Sequence, residues 1–276
     1  MTINNFYKDA EMKKVNVTTR SMFATLILTS VGLSSSVNAE EWQFEATPYI
    51  WAAANEGSAG AYGLGSNGDI NPPPTEIDIN FQELIDSTDL GTMFNFAAKK
   101  DNWLLFTEFT YLEVSDQATK SFSTPTGSSS ADIDLEISGT VLDMGAGYQF
   151  IEQDTFQLYG YAGVRYMDLD TDISIDSPGG ILPSEITMGD SWTDGFVGVH
   201  TSWKINDKFS FNTRLEVGGL GDVDEAYMAH IAINHQISEN WQVKYFYRYQ
   251  KVDYKGDGFI YDMEITGPGV GVTYTF

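Results

Sequence analysis

The side chains with the greatest capacity for chemistry are charged residues placed at every second position of otherwise apolar runs. In the run from Trp241, Lys244 and Arg248 share one face and aromatic residues share the other, which is the period-two pattern of a β-strand. Along the chain, the same predicted face collects charges of both signs: Glu45, Glu108, Asp143, Arg165, Asp194, His200, Lys204, Arg214, Glu216, Lys244 and Arg248. Such a set forms either the lining of a selective pore or a network of buried ion pairs.

Groups that could catalyse a reaction are few. The chain has no cysteine and three histidines, so thiolate chemistry is excluded. His200 and Ser202 share a predicted face, while His230 and His235 lie on another strand, with His235 on its outward face near a turn. No nucleophile motif surrounds any of them. We therefore predict a protein with no enzymatic activity and no cofactor, and a hydrolase stays open as the second alternative.

Three aspartates could hold a metal ion. Asp168, Asp170 and Asp172 alternate near the outer end of a predicted strand, so their carboxylates share a face that could bind Ca²⁺ or bridge divalent ions to lipopolysaccharide. A charge run at a strand tip is more often a solvated surface. We therefore predict no metal site, and these three residues are the weak candidates for one.

The overall charge is strongly acidic. The 276 residues include 15 Lys and Arg against 39 Asp and Glu, which gives a formal net charge of −24. Nucleic acids are bound by basic patches, so a nucleic-acid partner is excluded.

Residues 1–39 have the sequence of features that a secretory signal shows: a basic stretch, an apolar run of 12 residues, and small residues ending in Ala39. We predict cleavage after Ala39, which leaves residues 40–276 as a single domain. Met12, followed by two lysines, is an alternative start to Met1. No later stretch has the length of a spanning helix, so the remaining chain is either soluble or crosses a membrane as strands.

The elements that position these side chains are antiparallel strands. Period-two alternation recurs from Trp42 onward, and tight turns separate long polar connections, as in outer-membrane barrels whose short turns face the periplasm. The predicted turns are Lys99–Asn102, Glu152–Thr155, Asn206–Lys208 and Ser238–Asn240, and the predicted long connections are Asn55 to about Leu90, Asp116–Ala131, Asp176–Glu185, Gly219–Glu225 and Asp253–Gly258. The predicted strands are about 42–54, 90–100, 103–116, 131–150, 155–175, 186–205, 208–219, 225–237, 241–253 and 259–276.

The predicted fold class is therefore all-β, a transmembrane antiparallel up-and-down barrel of about ten strands. The segment Ile77–Phe81 also has a strand pattern, so twelve strands stay open as the alternative. Gln82–Asp86 after it is a candidate short helix that folds into the barrel mouth or the lumen.

Aromatic residues cluster next to the predicted short turns and chain ends. Four of the six tryptophans, Trp42, Trp103, Trp203 and Trp241, fall there. Clustering at one level is typical of an interfacial aromatic girdle.

A barrel of about ten strands is little wider than the eight-stranded barrels whose side chains fill the interior. We therefore favour a charged and largely closed lumen over a narrow passive pore for ions or small solutes, which stays open. The predicted pairs form among six residues: Glu45, Glu108, Arg165, Arg214, Glu216 and Arg248.

The chain ends with apolar residues at alternate positions, Val272, Tyr274 and Phe276. This ending resembles the terminal strand signal that the barrel assembly machinery of Gram-negative outer membranes recognises. More of the chain resembles a poorly characterised family of small proteobacterial outer-membrane barrels. The matching pieces are PYIW from Pro48, IDINFQELIDSTDLGTMFNFAAKKDNWLLFTEFTYL from Ile77, SWTDGFVG from Ser191 and GFIYDMEITGPGVGVTYTF from Gly258.

The resemblance implies an outer-membrane location and brings no established activity. Its implied partners are outer-membrane lipids, lipopolysaccharide and the assembly machinery. With the residue-level observations it favours a non-enzymatic structural or surface-interaction barrel.

Overall fold

The computed structural model describes residues 42–61, 75–79, 82, 88–124, 127–176, 185–256 and 258–276. They form twelve β-strands: β1 (Gln43–Trp51), β2 (Ala54–Ala61), β3 (Thr75–Ile79), β4 (Thr88–Lys100), β5 (Trp103–Thr124), β6 (Gly127–Gln153), β7 (Phe156–Asp176), β8 (Glu185–Lys204), β9 (Phe209–Val217), β10 (Val223–Gln236), β11 (Trp241–Lys255) and β12 (Phe259–Thr275). No helix among these residues is long and apolar enough to cross a membrane.

Ten of the strands close into an antiparallel barrel. β1 pairs with β4 on one side and with β12 on the other, and β4 to β12 pair in chain order. β2 pairs with β12 where β1 has ended, and β3 pairs with β2. The predicted all-β barrel of ten strands is confirmed, with two strands added to it.

The added strand β2 begins after a break in the predicted first strand. β1 pairs with the Gly269–Thr275 part of β12, β2 pairs with its Phe259–Thr266 part, and Ala52 and Ala53 lie between. The break faces Pro268, whose carbonyl accepts a hydrogen bond from the Ala52 N–H at 2.8 Å. Proline has no N–H to donate in return, so the ladder is interrupted there.

All four predicted tight turns connect neighbouring barrel strands, β4 to β5, β6 to β7, β8 to β9 and β10 to β11. Phe44 and Phe276 exchange backbone hydrogen bonds of 3.0 Å at the same end of the barrel. We call this end the turn end and the opposite end the loop end.

The structure corrects the predicted loops. Asp116–Ala131 is not a loop, because β5 and β6 continue to a tip at Thr124 and Gly127 without a change in register. The predicted Asn55–Leu90 connection contains β2 and β3, and β3 includes most of the strand predicted at Ile77–Phe81. A polar composition is typical of loops, but the backbone hydrogen bonds of a strand ladder do not require apolar side chains. Of the helix predicted at Gln82–Asp86, all but Gln82 lies outside the described residues.

The two faces of the wall differ in composition. Large apolar side chains are exposed on the outside, with Met144 50 % exposed, Leu215 52 % and Tyr245 54 %. Charged and polar side chains such as Arg165 and Glu108 are buried inside. A soluble sandwich has the opposite arrangement, so the barrel displays its apolar surface outward.

Candidate functional site: the barrel lumen

The centre of the lumen holds a chain of six side chains with alternating charge, which we call the ionic network. Its members, in order of contact, are Asp143, Arg165, Glu216, Arg214, Glu108 and Arg248. They come from β5, β6, β7, β9 and β11. Three carboxylates and three guanidinium groups balance in charge.

One half of the ionic network is built around Arg165. Its Nε and Nη2 atoms donate to both carboxylate oxygens of Asp143, at 2.8 and 2.7 Å, in the bidentate geometry that suits a guanidinium group. Nη2 also donates to Glu216 at 3.1 Å. All three side chains are buried, so these pairs are shielded from water.

The other half is built around Glu108. Its Oε1 accepts hydrogen bonds from Arg248 Nη2 at 2.6 Å and from the Tyr49 hydroxyl at 2.6 Å, while its Oε2 accepts one from Arg214 at 3.1 Å. Arg214 also donates to Glu216 and thereby joins the two halves. Glu108 contacts β1, β9 and β11 from its own position on β5, so it links opposite sides of the wall.

The arginines lie on aromatic rings, and the rings lie opposite glycines. The Arg165 guanidinium lies 5.2 Å from the Phe196 ring centre, and Arg248 lies 5.6 Å from that of Phe246. Phe196 pairs across strands with Gly163, and Phe246 pairs with Gly269. Because the glycines have no side chain, each ring can lie against the barrel wall. The face of the ring then makes a cation–π contact with the arginine.

On the loop-end side, apolar side chains pack together in the lumen. This apolar plug consists of Met167, Trp192, Val223, Ala226, Val252, Tyr254 and Phe259. Trp192 and Tyr254 stack with ring centres 4.1 Å apart and an interplanar angle of 9°, and Val252 is 1 % exposed. The seven side chains are 1–7 % exposed, so very little solvent contacts them.

On the turn-end side, the lumen contains a polar cavity of about 230 Å³, which we call the turn-end cavity. Glu108, Arg214 and Arg248 of the ionic network form part of its lining. A further hollow of about 170 Å³ is lined by the β8–β9 turn and shares Ser210 and Gln242 with the cavity. The cavity therefore leads towards the turn end.

The structure brings five of the six residues predicted to pair in the lumen into the ionic network, and Glu45 is the exception. Glu45 lies nearer the turn end and accepts a hydrogen bond from Lys99 at 2.7 Å. Asp143 joins the ionic network although the predicted pairs did not include it. The strand register was the missing signal, since Asp143 lies directly opposite Glu108 and Arg165 on the two neighbouring strands.

Two other predicted lumen residues have local partners. Asp194 accepts hydrogen bonds from the backbone N–H groups of Gly219 and Leu220, at 3.0 and 2.9 Å, and so anchors the β9–β10 loop. Lys204 forms an ion pair of 2.8 Å with Asp207 at the turn end. The hydrogen bond from Lys204 lowers the pKa of the Asp207 carboxyl below its usual range.

The histidines are spread over the barrel. His200 stacks on Tyr159, and His230 stacks on Phe246 and accepts a long hydrogen bond of 3.5 Å from Arg248. His235 lies on the outward face and stacks on Phe209.

The three weak metal candidates face outward on β7. Asp168, Asp170 and Asp172 lie opposite Thr140, Ser138 and Glu136 of β6, respectively. Within the described ranges, no group of three or more His, Asp or Glu side chains is placed to hold a metal ion.

The four tryptophans named in the sequence all lie near the turn end and are 40–54 % exposed. Trp103 contacts Tyr148, Trp203 contacts Phe156, and Trp241 contacts Tyr274 edge-on or tilted, at ring-centre distances of 4.8 to 5.2 Å. Val272 and Tyr274 face outward on β12, and Phe276, which follows its last residue, packs against Tyr274 and Phe44.

Comparisons with known proteins place this barrel among outer-membrane folds. A family model described as "Protein of unknown function, DUF481" matches residues 137–259. No curated protein matches the chain. The outer membrane protease OmpT from Escherichia coli is 11 % identical, with 85 % of this chain and 97 % of that chain covered and a TM-score of 0.53.

The translocator domain of the autotransporter NalP from Neisseria meningitidis is 15 % identical, with 87 % of this chain and 90 % of that chain covered and a TM-score of 0.49. At these identities, the likeness to OmpT shows the fold alone. The chain thus has the fold of Gram-negative outer-membrane barrels and resembles a poorly characterised family of them.

Proposed function

We propose that this barrel, which has the fold of outer-membrane β-barrel proteins, spans the outer membrane as a non-enzymatic structural or surface-interaction protein with a closed lumen. The loop end then faces the exterior, and the turn end faces the periplasm. The outward apolar surface and the tryptophans at one level support this placement, because both match a bilayer and its interface. Export by the segment that ends at Ala39 belongs to the same proposal.

The observation that carries the closed lumen is the ionic network with the apolar plug above it. Side chains from five strands meet in the ionic network, and the apolar plug packs together on the loop-end side of it. An ion would have to break buried ion pairs and then pass through apolar packing, and both steps are costly in free energy.

The first test is electrical. In planar lipid bilayers, we expect the purified protein to insert without steady single-channel current in moderate salt, whereas a porin inserted in parallel conducts. Insertion is verified by protease protection of the same preparation. Steady ohmic steps from the unmodified protein would contradict the closed lumen and support a narrow passive pore.

The proposed partners are outer-membrane lipids, lipopolysaccharide and the barrel assembly machinery, and the last of these is testable at the C terminus. We expect deletion of Phe276 to reduce the yield of folded protein in the outer membrane severalfold, because it removes the terminal residue of the assembly signal. The measurement is the fraction with heat-modifiable gel mobility. Deletion also removes a ring contact with Phe44, so the Phe44→Ala variant serves as the control for lost packing. Equal yields for the deletion and the unmodified protein would refute recognition through Phe276.

A further inference from the structure

The turn-end cavity contains a cation without an ionic partner. Four basic side chains other than histidine line it, namely Lys99, Arg214, Lys244 and Arg248. Lys99 pairs with Glu45, and both arginines pair with Glu108. Among the described residues, Lys244 has no ion pair within 4.0 Å and no hydrogen bond, and the Glu45 carboxylate attracts its ammonium only from a longer distance. Lys99 and Glu45 cancel, and the six residues of the ionic network, to which both arginines belong, balance three against three, so Lys244 leaves an excess of one positive charge.

The same cavity contains acceptors without donors. Asn234 is 2 % exposed, and its Nδ2 atom donates to Ser210 at 3.1 Å while its Oδ1 atom is buried without a partner. The Oδ1 atom of Asn212, on the neighbouring strand, is also buried without a partner. Buried carbonyl oxygens are nearly always hydrogen-bonded, so these two, on residues that line one cavity, are acceptors that a bound group with donors would satisfy.

We infer that the turn-end cavity is a binding site for a small hydroxy-carboxylate of the sugar-acid class. One carboxylate matches the unpaired ammonium of Lys244, and hydroxyl groups match the free oxygens of Asn212 and Asn234. A dianion such as a sugar phosphate would bring two negative charges to an excess of one. A neutral sugar would leave Lys244 unpaired.

The size of the cavity and its position agree with this ligand class. Its volume of about 230 Å³ is below the range of roughly 300 to 1,000 Å³ typical of sites for drug-sized ligands. The hollow beside the β8–β9 turn gives it a route towards the turn end, while the ionic network bounds it on the other side. The site is therefore a blind pocket rather than a passage, which extends the proposed closed barrel by a ligand-binding role.

Isothermal titration calorimetry of the protein purified from membranes in detergent tests this inference. We expect D-glucuronate to bind with one site per barrel. D-glucose has the hydroxyl groups without the charge, and acetate has the charge without the hydroxyl groups, so each is expected to bind at least about tenfold more weakly. Inorganic phosphate is the fourth probe, and we expect it to bind no more tightly than acetate.

The variant Lys244→Gln is expected to weaken glucuronate binding by roughly tenfold to a hundredfold, as the loss of one charge-assisted hydrogen bond predicts. Lys251→Gln makes the same chemical change on the outward face of the same strand and is expected to leave the affinity unchanged. Asn234→Ala is expected to weaken glucuronate more than acetate, because it removes an acceptor for a hydroxyl group. Heat-modifiable mobility verifies that each variant is folded.

Three results would overturn the inference: no binding of glucuronate to the unmodified protein, equal affinity in Lys244→Gln, or acetate or phosphate binding as tightly as glucuronate. The calorimetry is independent of conductance. If the barrel conducts ions and binds glucuronate, only the closed lumen is refuted. If it does not conduct and does not bind glucuronate, only the binding site is refuted.

Discussion

Replacing Glu108 by alanine is expected to lower the free energy of unfolding by about 3 to 5 kcal/mol, the cost of leaving buried charge without its partner. Glu108 is the acceptor for both Arg214 and Arg248. Its loss leaves Arg214 with Glu216 but removes the ion pair of Arg248, which is 8 % exposed. The Tyr49 hydroxyl loses its acceptor as well.

Removing the other partner of this ion pair, Arg248, is expected to lower the free energy of unfolding by less. In Arg248→Ala, the Glu108 carboxylate still accepts from Arg214 and Tyr49, so no charge is stranded. The double variant Glu108→Leu with Arg248→Met is expected to regain much of the stability lost in Glu108→Ala, because apolar side chains of similar size replace the pair without unpaired charge.

Equilibrium unfolding in urea, from detergent or lipid vesicles, measures these differences. Glu113→Ala is the matched control, because Glu113 lies on the outward side of the same strand and accepts a hydrogen bond from Tyr111. We expect it to change stability by less than about 1 kcal/mol. If Glu108→Ala were as mild as this control, the charges would be solvated and the lumen would be filled with water rather than closed.

Replacing Gly163 by valine is expected to destabilise the barrel by about 3 kcal/mol, through overpacking rather than through loss of an interaction. A Cβ atom at this position would lie 2.5 Å from the Met144 carbonyl oxygen and 2.5 Å from the Phe196 ring. The backbone oxygen has little freedom to move. Phe196 is fully buried, so its ring cannot swing away without disturbing the Arg165 guanidinium above it.

The control for this prediction is Gly160→Val on the same strand. A Cβ at Gly160 would meet the Phe150 ring, which is on the outward face and 68 % exposed, so the ring has room to turn. We expect this change to be nearly neutral. Adding Phe196→Ala to Gly163→Val should cost less than the two single changes together, because the ring that the valine meets is gone. If the loss of stability in the double variant equals the sum of the losses in the two single variants, the valine does not destabilise the barrel through contact with Phe196.

The sequence predicts the barrel well because alternation and turns are local signals. Each of the four short turns and the two-faced pattern of the run from Trp241 depend on neighbouring residues alone. The break at Ala52–Ala53 was not predicted, since it depends on Pro268 in a strand more than 200 positions away. The extended β5–β6 hairpin was missed because its polar composition is shared by loops and by solvated strands.

The lumen is harder to predict than the wall. Alternation places Glu108, Arg214 and Arg248 on the inner face, but it does not give their heights in the barrel. The partners follow from the stagger of ten strands, which no local pattern encodes. The turn-end cavity escaped prediction for the same reason, since Asn212, Asn234 and Lys244 come together only when three strands are in register.

The ionic network also has a mechanical consequence. Glu108 is separated by 106 positions from Arg214 and by 140 from Arg248, and its bonds join wall segments that do not pair with β5 as strands. Such bonds act as struts across the cross-section of the tube, whereas the strand ladder runs only around its circumference. A closed sheet without such cross-links can bend into an oval under lateral pressure. With the struts in place, flattening requires charged contacts to lengthen in a medium that does not solvate them, so the cross-section keeps its shape.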